Sequence, residues 1–271
     1  MSAEIAPAVT VADRARQVAV VVGSLVALAG AMAGSGVFGG TQVKDAADGA
    51  LSATATVIAP AVPAFSIWSV IYLGLLGYAV RQALPRQAAR ERHRGTGWWI
   101  LASQLLNAAW ILSVQAGLLG ASVLIIIVLL IVLVLIFIRL QHIPADGWQD
   151  AVTMDGTIGL YLSWVTVATI ANITAWLVDF GFTGFGWPAD TWGVAVLVAG
   201  VAIAASLSVW SRGRLTPALA TAWGFAWVSV GRLASEPLST AVGVAASVAA
   251  AITVGIAVIV RVRSSAQGAA W

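Results

Sequence analysis

One stretch constrains the fold more than any other: Asp155 to Val178, DGTIGLYLSWVTVATIANITAWLV. It is long enough to cross a bilayer as one helix, and its interior carries no charge. Tyr161, Trp164, Ala168 and Asn172 recur at spacings of three, four and four. That places them on one helix face over about three turns, with Thr157 beginning the stripe and Ala175 extending it. An unpartnered amide deep in hydrocarbon costs roughly several kcal/mol. The Asn172 face therefore has to look at other helices or into a cavity, and the rest of the chain is read as arranged around it.

Composition fixes the class. The chain is 60% hydrophobic and 9% charged, where a soluble domain carries about a quarter charged residues. Its mean hydropathy is +0.95. These values imply an all-α, polytopic membrane helix bundle. With no cysteine, disulfides, thiolate chemistry, zinc–sulfur sites and iron–sulfur clusters are excluded. His93 and His142 are the two histidines, both in expected loops, so no haem held by histidine inside the bilayer is supported. There is no glycine-rich phosphate loop, HExxH motif, paired intramembrane carboxylate or histidine-based triad, and enzymatic readings do poorly. No acidic residue sits at the centre of an expected span, which argues against a proton- or sodium-driven pump. The basic residues lie in short clusters between apolar runs, a poor pattern for nucleic-acid binding.

Eight spans are predicted: Gln17–Val37, Ala64–Leu84, Gly97–Gly117, Gly120–Leu140, Asp155–Val178, Asp190–Trp210, Pro217–Ala234 and Thr240–Arg261. The first is read as an uncleaved helix, because it is long for a signal peptide and SGVFGG is a weak cleavage site. Residues 38–63 form a loop with Lys44, Asp45 and Asp48, whose second half, LSATATVIAPAVP, suits a re-entrant or interfacial piece. Pro60 and Pro63 lead into the second span, where proline wastes no hydrogen bond. Residues 81–96 read as a solvated arginine-rich loop and 141–155 as a loop carrying Asp146, Asp150 and Asp155. The third and fourth spans pack as an antiparallel hairpin. The fourth has no interior polar group to justify a site and is expected to face lipid.

The seventh span is the least clearly apolar, with Trp223, Trp227, Ser229 and Arg232. Arg232 and Glu236, four apart and followed by Pro237, read as an exposed pair at a helix end, worth roughly tenths of a kcal/mol. Eight spans with the N-terminus inside place twelve basic residues inside and two, Lys44 and Arg232, outside. Seven spans, without the seventh, would move Arg261 and Arg263 outside and weaken that bias without removing it, so eight are preferred, with both termini cytoplasmic. Gly30 and Gly34 have GxxxG spacing, but a chain so rich in Gly and Ala shows such matches by chance, and they place no dimer.

A second stripe comes from the third span, where Gln104, Asn107 and Trp110 recur every three residues. Gln104 and Asn107 can bond each other, Asn172 or backbone. They are either helix–helix glue, worth about 1 kcal/mol per bond or less, or the groups that give direction to a mostly apolar pocket. In the second span Trp68 and Tyr72 sit one turn apart. Aromatic rings and amides from three helices suit a cavity for a flat hydrophobic molecule.

The motifs PAFSIWSVIY, SQLLNAAW and YLSWVTVATIAN resemble the tryptophan-rich sensory protein family (TspO/MBR), bacterial relatives of the mitochondrial translocator protein. Trp68 and Tyr72 match its Trp-x-x-x-Tyr. Gln104, Leu105, Asn107 and Trp110 resemble its Gln-Leu-x-x-Asn-x-x-Trp with one residue fewer. Tyr161, Trp164, Ala168 and Asn172 match its fifth-helix pattern, with Val167 in place of Phe. The likeness covers residues 17–178 and implies a five-helix ligand-binding core, 1–178, with 179–271 as a three-helix extension outside the usual pattern. It implies a pocket of Trp68, Tyr72, Gln104, Asn107, Trp110, Tyr161, Trp164, Ala168 and Asn172 for a porphyrin, a sterol or a similar ligand. The loop before the second helix would close over it, although that loop here lacks the family's tryptophans.

No cofactor is required, and a bound tetrapyrrole is what the resemblance allows. The implied partners are the lipid bilayer, a hydrophobic small molecule and a second copy in a homodimer, whose usual interface the extension could cover. The implied location is a bacterial inner membrane. The leading expectation is a receptor or carrier. A secondary transporter of a small organic solute and a tetrapyrrole-modifying enzyme stay open beside it.

Overall fold

The computed structural model describes residues 8–34 and 47–268. Lys44, Asp45, the SGVFGG stretch and the expected end of the first span at Val37 lie outside the described residues. Within them the chain forms eight long helices: α1 Val11–Gly34, α2 Ile67–Ala83, α3 Glu91–Gln115, α4 Leu119–His142, α5 Thr157–Asp179, α6 Ala189–Trp210, α7 Leu215–Ala234 and α8 Thr240–Ala266. Seven of these segments are long and apolar enough to cross a membrane. The chain is thus an all-α, multi-span membrane protein.

The exception is α7. At 20 residues it is about 30 Å long, enough to span, but it carries Thr216, Pro217, Thr221, Ser229 and Arg232. Its buried residues run from Pro217 to Arg232, against α5 on one side and α8 on the other. A helix shielded by protein need not be as apolar as one bathed in lipid.

The first five helices close a ring in the order α1, α3, α4, α5, α2. Their shared core holds Ile71, Leu75, Ile100, Ile126, Leu133, Tyr161 and Trp164. Beyond the ring, α7 packs on α5, α8 on α7 and α6 on α8, around a smaller core of Leu197, Phe225, Val228, Val242 and Ala246.

Two expected loops are helical instead. Residues 91–96 are the first turns of α3, and Arg92 and His93 are buried there rather than solvated. Residues 148–150 make a helical turn that continues through a π-helical turn, Ala151–Gly156, into α5. Ion pairs explain both. Arg92 forks to Asp150 at 2.6 Å and Asp155 at 2.7 Å. Arg214, between α6 and α7, meets Asp155 at 2.7 Å. Arg94 and Arg16 share Asp13. Charges that satisfy one another between helices no longer force the chain into water.

The fourth helix also departs from expectation. Leu124, Val128, Ile131 and Val134 are exposed, as on a lipid face, but Val123, Ile126, Leu129, Leu133 and Phe137 are buried. Ser122 is a buried polar group on this helix.

The α6–α7 turn is tight. Gly213 has φ +78°, and a Cβ there would fall on the backbone of Arg261 in α8. Gly213→Ala is therefore expected to cost at least about 2 kcal/mol and lower the apparent Tm in detergent. In α8, where nothing lies within 4 Å of an added Cβ at Gly255, Gly255→Ala should be neutral or gain up to about 1 kcal/mol.

Candidate ligand site between α2, α3 and α5

Of the residues singled out from sequence, Trp110, Trp164, Ala168 and Asn172 line one hollow inside the five-helix ring and Tyr72, Gln104, Asn107 and Tyr161 line a second, while Trp68 lines neither and packs against their rings. α2 presents Trp68 and Tyr72 one turn apart, and their rings stack with centroids 5.4 Å apart. Trp68 meets the edges of Tyr161 at 5.7 Å and Trp164 at 6.4 Å, both from α5. Phe65, just before α2, meets Trp164 at 5.9 Å. Edge-to-face and offset contacts of this kind contribute about 0.5–1.5 kcal/mol each beyond area burial. They fix the rings as one wall.

The amides are engaged differently from expectation. Gln104 and Asn107 do not bond each other or Asn172. Asn107 Nδ2 donates to Tyr72 OH at 3.0 Å, joining α3 to α2. Trp110 Nε1 donates to Asn172 Oδ1 at 2.8 Å, joining α3 to α5. Ser122 Oγ lies 3.2 Å from Asn172 Oδ1 and 3.1 Å from its Nδ2, bringing in α4. Tyr161 OH donates to the Ser103 carbonyl at 3.0 Å. Asn172 is thus a junction of three helices, its carbonyl accepting from Trp110 and its amide N–H donating to Ser122.

The larger hollow, about 50 Å³, is lined by Trp110, Trp164, Val167, Ala168, Ala171, Asn172 and Ala175 together with Phe65. Its remaining wall is Ala50, Leu51, Ser52, Thr56, Ala59 and Pro60, from the segment before α2. That segment therefore covers the hollow. Trp164 Nε1 is buried without a hydrogen-bond partner among the described residues, leaving a donor on the wall. The smaller hollow, about 10 Å³, lies among Ser24, Ala27, Leu28, Tyr72, Leu75, Leu76, Gln104, Asn107 and Tyr161. Ser24 Oγ, Gln104 Nε2 and Asn107 Oδ1 are buried there without hydrogen-bond partners among the described residues. That hollow has room for about one water-sized polar group. Among the described residues no carboxylate, guanidinium, ammonium or imidazole lines either hollow. Among the described residues no cluster suited to a metal ion occurs.

Sequence reasoning missed Ser122, Phe65 and Ser24, named none of the covering residues singly although the resemblance implied a cover from the loop before α2, and misjudged Arg232. That arginine is 1% exposed rather than paired with Glu236 at the surface. Its guanidinium donates to the carbonyls of Ala53 at 2.7 Å, Pro237 at 3.0 Å, Thr56 at 3.2 Å and Glu236 at 3.4 Å. The reason is geometric: the covering segment runs past the end of α7 and brings carbonyls where water was expected. Two further contacts join them, Trp223 Nε1 to the Ala64 carbonyl at 2.8 Å and Ala61 N–H to the Trp227 carbonyl at 3.1 Å.

Removing one side of the Asn172 junction should cost more than removing both. Asn172→Ala strands the Trp110 N–H and is expected to destabilise by about 1–3 kcal/mol. Combining Asn172→Leu with Trp110→Phe should recover much of that, since Ser122 keeps its bond to the Leu119 carbonyl at 2.7 Å. Thermal melts of the purified variants in one detergent measure the difference.

Neither a curated protein nor a solved structure matches this chain. The sequence model of the family described as TSPO-like protein matches residues 17–259. The match runs past residue 178 into α8, so the last three helices, expected to lie outside the family pattern, fall within this one up to residue 259. With most of its length covered, from α1 through nearly all of α8, the chain belongs to the TSPO-like protein family.

Proposed function

We propose that this protein is a membrane receptor or carrier that binds a flat hydrophobic ligand, such as a porphyrin or a sterol-like molecule, inside the five-helix ring. The observation that carries this reading is the covered, largely apolar hollow walled by Trp110, Trp164 and Phe65, with the Trp68–Tyr72 stack beside it. Such a wall suits stacking and area burial, with the unpartnered Trp164 N–H giving one directional contact. Gln104 and Asn107 offer a second polar point next to Tyr72. Asn172 acts through Trp110, which it holds in place.

The hollow, about 50 Å³, is far below the roughly 300 Å³ or more of an ordinary ligand site. Ligand uptake therefore requires the cover at 50–60 to move. Residues 1–178 carry the pocket in this reading, and residues 179–271 support it. Transport driven by protons is less well supported, because no group that would carry the proton lines either hollow. The arginine-rich end of the bundle faces the cytoplasm, with both termini there, in the inner membrane of a bacterium. A reporter active only in the cytoplasm should work when fused to either terminus.

Titration with protoporphyrin IX tests the ligand reading. Saturable quenching of tryptophan fluorescence is expected, with Kd raised about tenfold in Trp164→Ala. Trp187→Ala, altering an exposed loop ring, should leave Kd unchanged. Quenching that does not saturate, or the same Kd in Trp164→Ala, would overturn the porphyrin assignment.

A further inference from the structure

The cover has two faces. One lines the larger hollow through Leu51, Ser52, Thr56, Ala59 and Pro60. The other is seated on the last three helices. Val57 packs into the apolar cluster of Leu197, Phe225, Val228 and Val242. Ala61 N–H is held by the Trp227 carbonyl, and the Ala64 carbonyl by Trp223 Nε1. Arg232 grips the middle of the cover, donating through one guanidinium nitrogen to Ala53 and through the other to Thr56.

Inside the cover the backbone bonds are short-range turns: Ser52 N–H to Gly49, Ala55 N–H to Ser52 and Ala59 N–H to Thr56. These survive if the segment moves as a unit. The contacts that would have to break are the hydrogen bonds to α7 and the apolar seat of Val57 among α6, α7 and α8. Arg232 is suited to a reversible grip, because its four partners are all backbone carbonyls, two on the cover and two, Glu236 and Pro237, just past its own helix. Hydrogen bonds from a charged donor to a carbonyl are strong one by one, but they carry no ion-pair partner that would be left buried and uncompensated when they open.

We propose that Arg232 is the latch of the cover: its fork on the Ala53 and Thr56 carbonyls holds residues 50–61 shut, so that α7 sets how readily a hydrophobic ligand reaches the hollow. Arg232 is a positioning residue in this role, since it lines neither hollow. The role rests on the hollow being the ligand site, but its test needs no ligand.

The chain has no cysteine, so a single introduced thiol is unique. Ala175→Cys places one on the hollow wall at a buried position, and its rate of labelling by a sulfonated, water-soluble maleimide reports opening. In that background Arg232→Met should label at least about tenfold faster than the parent, and Arg232→Lys by a smaller factor. A thiol at Ala79, buried in α2 towards the arginine-rich end, should stay protected in all three. A thiol at exposed Thr183 should label equally in all three.

An unchanged rate at Ala175→Cys in a folded Arg232→Met protein overturns the latch. So does parallel deprotection at Ala79→Cys, which marks general loosening. Should Arg232→Met fail to fold, Arg232→Lys and Trp223→Phe decide. Each should raise the rate by about threefold, and parent-like rates in both overturn the latch. Loss of porphyrin binding would leave the labelling result standing, and parent-like labelling would leave the porphyrin result standing.

Discussion

A hydrogen-bonding group surrounded by hydrocarbon has to find its partner within the protein, and the arrangement of the ring follows from how Asn172 meets that demand. Its carbonyl accepts from Trp110 on α3 and faces Ser122 on α4. Three helices are thereby fixed in height and rotation relative to one another. Trp110 is held against the wall, and the neighbouring positions on the α5 face are Ala168, Ala171 and Ala175. Small side chains beside a fixed indole leave space that large ones would fill, so the hollow results from the junction and the alanines together.

The two ends of the bundle are held by different chemistry. At the arginine-rich end, guanidinium and carboxylate groups pair between helices: Arg92 with Asp150 and Asp155, Arg214 with Asp155, Arg94 with Asp13. Breaking one partner of such a buried pair is costly, which makes this end rigid. At the opposite end the only arginine in the described chain is Arg232, and its hydrogen bonds there go to backbone carbonyls. Hydrogen bonds and a few apolar contacts hold the cover there. The ligand reading calls for mobility at that end, and its fastenings are the more easily reversed.

Much of this was legible in the sequence. The stripes at three- and four-residue spacing located the inward faces of α3 and α5, and Trp68 with Tyr72 located that of α2. The eight helices were legible too, with α7 the doubtful one for a physical reason: protein, not lipid, covers much of it. What escaped notice depends on distant partners. Ser122 lies in an apolar run, where one hydroxyl does not disturb the pattern. Arg92 and Asp150 looked like loop charges because each is neutralised by a residue about 60 positions away, at a separation of 58. Arg232 bonds to backbone carbonyls, which every residue has and which leave no mark in a sequence.

The separation between the cover and its fastening has a consequence for how the protein is made. Arg232 lies 179 residues after Ala53 and 176 after Thr56. A chain is synthesised and inserted from its N-terminus, so the first six helices are in place before the ribosome has delivered the residue that grips residues 53–56. A chain terminated before α7 would lack Trp223, Trp227 and Arg232, and with them every hydrogen bond that ties residues 53–64 to that helix.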